Sequence, residues 1–120
     1  MGYYTYYNLQ IKGVETEERF LELSRALEQM GLIKYVFDIG NYDNNRKEAT
    51  FYSYESVKWY EYNDDMKNLS LIFPSFTFCL EGQGEEYDDI WRAYYKYGED
   101  EFCPARIIFE EPVKIKWEQS

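Results

Sequence analysis

Eight carboxylates fall between positions 81 and 101: Glu81, Glu85, Glu86, Asp88, Asp89, Glu99, Asp100 and Glu101. Within that window only Arg92 and Lys96 offset them. Oxygen-only clusters of this kind suit Mg²⁺ or Ca²⁺, which take carboxylate and carbonyl ligands. They equally suit a partner's basic groove, where carboxylates stand in for phosphates. The plain alternative is a set of solvated loop acids that keep a small protein soluble. The spacing is not the D-x-[DN]-x-[DN]-G of an EF-hand loop, so no metal site is assigned.

Other chemistry is removed by what the chain lacks. It has no histidine, which excludes Ser-His-Asp and Cys-His catalysis, His-ligated zinc and haem, and the usual neutral-pH proton shuttle. Gly82-x-Gly84 is not followed by the third glycine of a dinucleotide loop, and no Walker lysine is present. Lys58 or a tyrosine could act as an acid or base, but nothing selects one. No catalytic residue is assigned, and no cofactor is implied. The net charge of −10 and pI near 4.5 repel nucleic acid and anionic lipid alike.

Aromatic residues make up 21% of the chain, and 14 of them are tyrosines. That is too many to bury with every hydroxyl paired, so several belong on the surface. Surface tyrosine is a common anchor at protein interfaces, because it buries a large area at low entropic cost. Acids plus tyrosines point to a protein partner with a basic surface. The candidate contact residues are Glu85, Glu86, Asp88, Asp89, Tyr94, Glu99, Asp100 and Glu101.

The elements that must position them can be read from periodicity. Residues 3–11 alternate as a strand, with Tyr7, Leu9 and Ile11 on one face. A helix over 15–30 follows, with Thr16 as a possible N-cap, Phe20, Leu23, Leu27 and Met30 on one side and Gly31 as its stop. Residues 33–39 read as a second strand closed by Gly40, 41–47 as a polar loop, and 49–59 as a third strand, bent near Glu55-Ser56. Asn63 is a plausible N-cap for a helix over 64–73 ended by Pro74. Residues 76–81 form a strand, Gly82-Gln83-Gly84 a turn, and 89–97 a strand that puts Trp91 inward and Tyr94 outward. Gly98-Glu99-Asp100 reads as the next turn, 102–109 as the returning strand, and 113–117 as an exposed edge strand offering a homodimer contact.

This order, β-α-β-β-α-β plus a C-terminal hairpin, predicts one α+β domain over 1–120. The expected architecture is a ferredoxin-like, mainly antiparallel sheet with two helices on one face. Cys79 and Cys103 fall in strands and read as small buried hydrophobes. Two cysteines make no disulfide framework, no secretory segment follows Met1, and no stretch has the ~20 apolar residues of a membrane span. The expected location is the cytoplasm. Reversing charge at Glu99, Asp100 and Glu101 together is expected to weaken partner binding and barely change stability.

An ordered set of residues adds a resemblance. Lys58-Trp59-Tyr60, Asp65-Met66, Leu69-Ser70, Phe73-Pro74, Phe78, Gly82-x-Gly84-Glu85-Glu86, Asp89-Ile90-Trp91, Tyr94, Tyr95 and Gly98 resemble small phage- and plasmid-encoded proteins related to the YubB-like domain. The opening Tyr-Tyr-Thr-Tyr-Tyr-Asn-Leu-x-Ile resembles their first strand. The resemblance implies a ferredoxin-like fold and no catalytic residues. By class analogy it implies a mobile-element inhibitor of a bacterial defence system, an anti-CRISPR protein that blocks a Cas effector in the host cytosol. The alternatives are a module that sequesters a nucleotide signal in a pocket involving Lys34, Lys58 and Arg106, or a Mg²⁺ enzyme using Glu85, Glu86, Asp88 and Asp89.

Overall fold

The computed structural model describes residues 4–86 and 88–116. Period-two alternation at the start of the chain produces β1 (Tyr6–Lys12), which buries Tyr7, Leu9 and Ile11 and turns Tyr6, Asn8, Gln10 and Lys12 outward. Helix α1 (Glu17–Gln29) begins where the Thr16 hydroxyl accepts the Arg19 N–H at 3.1 Å, satisfying an otherwise unpaired donor. Glu17 and Glu18 sit in its first turn, and Gly31 leads the chain away at φ +78°. Leu23 and Leu27 are its fully buried residues. Helix α2 (Tyr62–Ile72) buries Met66 and Leu69, and Pro74 lies just beyond it.

The remaining strands are β2 (Ile39–Asp43), β3 (Glu48–Tyr52), β4 (Thr77–Gln83), β5 (Ile90–Lys96) and β6 (Glu99–Pro104). They form one sheet in the order β2-β3-β1-β4-β5-β6, with every neighbouring pair antiparallel. The first four strands and two helices make the ferredoxin-like split βαβ arrangement, and the β5–β6 hairpin widens it beyond β4. Both helices cover the same face: Phe20 of α1 stacks on Phe51 at 5.8 Å, and Tyr62 of α2 lies 5.0 Å from Trp91. The opposite face is open. No described helix is long and apolar enough to cross a membrane.

Several boundaries differ from the sequence reading, each for a physical reason. Residues 33–37 are a turn, not a strand: the Leu32 carbonyl accepts both the Val36 and Phe37 N–H groups, and this buries all three apolar side chains. The second strand comes later and runs through Gly40. A Cβ there would overlap the Phe51 ring, so glycine is needed for close packing and not for a stop. The loop shrinks to 44–47, where the Asp43 carboxylate accepts the Asn45 and Arg46 N–H groups. Strand β3 ends at Tyr52 because the Ser53 hydroxyl takes over pairing with the Tyr7 N–H at 2.9 Å. Asn63 does not cap α2. Its carbonyl oxygen accepts the Tyr95 hydroxyl at 2.8 Å instead, and Glu61 precedes the helix with no side-chain cap.

The hairpin shifts as well. Gly82 lies inside β4 opposite Trp91, whose indole fills the space of a Cβ, and its φ is not positive. The turn after β5 is Tyr97-Gly98, at φ +55° and +78°, which is the pattern of a two-residue type I′ hairpin. Glu99, Asp100 and Glu101 therefore belong to β6, not to a turn. That strand stops at Pro104, and residues 105–116 form no strand; Tyr3 and Trp117 lie outside the described residues. Cys79 and Cys103 are half-exposed on the open face and not buried.

Tyr95 is 1% exposed, with its hydroxyl held by Asn63. Burial, then the neighbouring Tyr62, Asp100 and Tyr7, raise its pKa above the ordinary tyrosine value. The folded state thus holds this proton more tightly than the unfolded chain. Its contribution is complete below pH ~10 and is lost as pH rises beyond that value. Tyr95→Phe is expected to cost about 0.5–1.5 kcal/mol at neutral pH through the lost hydrogen bond. In urea melts that deficit should shrink above pH ~10. A deficit that grows with pH would contradict this assignment.

Candidate functional site

Antiparallel register decides which acids and tyrosines meet. Pairing of Tyr6 with Gln83 sets the start of β1 beside the β4–β5 loop. That loop is closed by the Gly84 N–H donating to the Asp89 carbonyl at 2.8 Å and by the Asp89 N–H donating to Glu86 at 3.0 Å. Glu85, Glu86 and Asp88 are exposed and Asp89 is half-exposed. The Glu85 carboxylate accepts the Tyr4 N–H at 2.8 Å, and the Lys58 ammonium lies 4.9 Å from the Tyr4 ring centroid. Tyr4 and Tyr6 are each about half exposed. Tyr6 shares the open face with Tyr52, whose ring meets that of Tyr54 at 5.5 Å. One end of the sheet therefore carries loop acids and exposed tyrosines side by side.

The other candidate residues are elsewhere. Tyr94 is outward at 38% exposure, directly opposite Cys79 on one side and Glu101 on the other. Glu81 is tied to Arg92 across the ladder at 2.8 Å, which holds the guanidinium firmly protonated. Burial raises the Cys79 thiol pKa against the lowering effects of Tyr94 and Arg92, which makes it a poor nucleophile at neutral pH. Asp100 pairs in register with Tyr95 on the helix side and reaches the Lys67 ammonium of α2 at 3.2 Å. Reversing its charge would set two ammonium groups together. The expectation that the triple reversal at 99–101 barely changes stability therefore applies only to Glu99 and Glu101.

The structure thus gathers Glu85, Glu86, Asp88 and Asp89 with Tyr4 and Tyr6 at one end of β5, sets Glu99 and Asp100 towards the other, and leaves Tyr94 and Glu101 between them. The signal for Tyr4 and Tyr6 was their doublet pattern on both strand faces, but their neighbourhood depends on long-range pairing. Among the described residues no group of three or more His, Cys, Asp or Glu is arranged to hold a metal. The clefts are shallow. Lys58 lines one of about 230 Å³ with Tyr35, Trp59 and Tyr60, while Arg106 stands on the exposed segment after β6.

No protein-family model, characterised protein or solved structure matches the chain. The reading of function therefore rests on residues and geometry. What this surface can do is contact: it offers the exposed carboxylates of Glu85, Glu86 and Asp88, and flat amphipathic rings next to them.

Proposed function

We propose that the protein is a mobile-element-type inhibitor of a bacterial defence system, acting on a Cas effector as an anti-CRISPR protein. It binds a basic groove through the β4–β5 loop end of the sheet and so excludes nucleic acid from that groove. The observation that supports this reading is the juxtaposition of Glu85, Glu86 and Asp88 with half-exposed Tyr4 and Tyr6. Carboxylates steer the encounter with a positive surface, and the tyrosines supply the desolvated anchors that hold it. The residues that resemble YubB-like phage and plasmid proteins add to it. In this reading the target lies in the host cytosol.

The test is direct binding to purified CRISPR effectors in low-salt buffer by interferometry. Saturable binding that weakens as salt rises is expected, because screening shortens the reach of surface charge. Absence of binding to every effector at low salt would remove the proposal. A rise in melting temperature with a nucleotide ligand in its place would favour a small-ligand module.

A further inference from the structure

Past β6 the chain carries a segment that neither the core nor the proposed binding end uses. The Ala105 N–H still donates to the Ile90 carbonyl, and from there residues 106–116 run out as an exposed arm. Ile107, Phe109, Val113 and Ile115 are 57%, 87%, 96% and 71% exposed. The radius of gyration is 17.5 Å, whereas a compact chain of this length has one of about 14 Å. Monomeric soluble proteins rarely leave so much contiguous apolar surface in water.

The arm has the pattern of a half-buried strand. Four of its five exposed apolar residues, Ile107, Phe109, Val113 and Ile115, fall at odd positions, while Arg106, Lys114 and Lys116 fall at even ones. Ile108 and Glu110 on the even side and Glu111 on the odd side are the exceptions. Strand β6 carries the complementary pattern on an outer edge that pairs with no other described strand. Phe102, 53% exposed, lies on the helix side at 5.6 Å from Trp91. Glu99 and Glu101 lie on the open side with Tyr94. Cross-strand neighbours share a face. An arm laid along β6 with its apolar side over Phe102 therefore brings its cations beside Glu99 and Glu101. One choice of parity sets four apolar residues on the side of Phe102 and three cations on the side of Glu99 and Glu101.

Charge points the same way. Residues 1–104 hold 20 acids and ten cations, whereas 105–116 hold three cations against two acids. We propose that the arm docks on the β6 edge of a second copy of this chain, the two copies exchanging arms about a twofold axis. The arm follows directly on β6, so lying on its own edge would need a reversal of the chain, whereas a neighbouring copy offers the acceptor without one. Exchange pairs both edges at once and closes the assembly. Pro112 lacks an N–H and is tolerated in an outermost strand.

Sedimentation equilibrium of the full chain at about 100 μM, well above a micromolar Kd, tests this. The expected mass is twice 14.6 kDa. Ile107→Ser with Phe109→Ser should give a folded monomer that keeps its cooperative melting, because both side chains are exposed and outside the core. Lys114→Glu with Lys116→Glu should raise the dimer Kd by ~10-fold or more. Adding Glu99→Lys and Glu101→Lys to that chain should restore it. Charge reversal in the β4–β5 loop should leave the dimer intact, which separates this proposal from the one above. A wild-type monomer at that concentration, or open-ended oligomers, would overturn it. So would failure of the charge swap to restore pairing.

Discussion

Trp91→Ala is expected to lower stability by about 3–5 kcal/mol, the usual cost of emptying a large aromatic site in a core. The indole is 8% exposed and lies over Gly82, with Tyr62, Phe102 and Tyr7 at ring distances of 5.0, 5.6 and 6.3 Å. It thereby joins three strands to α2. Gly82 cannot grow a side chain to refill the space without meeting the neighbours that remain, so collapse of the cavity is limited. Native domains hold only ~5–15 kcal/mol in total, so the variant should melt many degrees lower and sit near the limit of folding. Chemical denaturation followed by tryptophan fluorescence measures this. A variant that melts like the wild type would mean that Trp91 is a surface anchor and that the two faces of the hairpin are assigned the wrong way round.

The second large effect concerns recognition. Converting Glu85, Glu86 and Asp88 together to Lys should weaken partner binding by ~100-fold or more, since like charges brought together cost several kcal/mol. The thermal midpoint should change little. The three side chains are exposed, and the hydrogen bond that Glu85 accepts from the Tyr4 N–H lies at the surface. Reversing Glu99 and Glu101 should affect binding to that partner far less, because Glu99 lies opposite the last residue of β5 and Glu101 opposite Tyr94, both away from the loop. Equal losses from the two variants would join both ends of the hairpin into one interface.

Local signals made much of this fold legible. The Thr16 cap, the 20-23-27-30 stripe and Gly31 mark α1 within two residues of its observed ends, and alternation marks β1 and β4. Each is a short-range pattern set by backbone geometry. The misreadings occur where a distant side chain decides. Gly40 and Gly82 look like turn glycines, yet Phe51 and Trp91 occupy the places their side chains would take. Asn63 has the right type for a helix cap, but the Tyr95 hydroxyl, 32 residues away, claims its oxygen. The hairpin turn slipped by one residue because Tyr97 takes a positive φ that a glycine usually supplies. For the candidate site, exposure of the acids was legible and the placement of the loop acids beside Tyr4 and Tyr6 was not. Strand register places Tyr4 and Tyr6 against the loop, and register is a long-range property.

The most direct measurement for the central claim is a competition titration. Labelled single-stranded nucleic acid is bound to a purified CRISPR effector, and the protein is added at low and at physiological salt. Wild type should displace the nucleic acid, with the half-point moving to higher concentration as salt rises, and the Glu85, Glu86 and Asp88 triple Lys variant should fail to do so. Nucleic acid that stays bound at saturating wild-type protein, or displacement by the triple variant equal to wild type, would contradict the account.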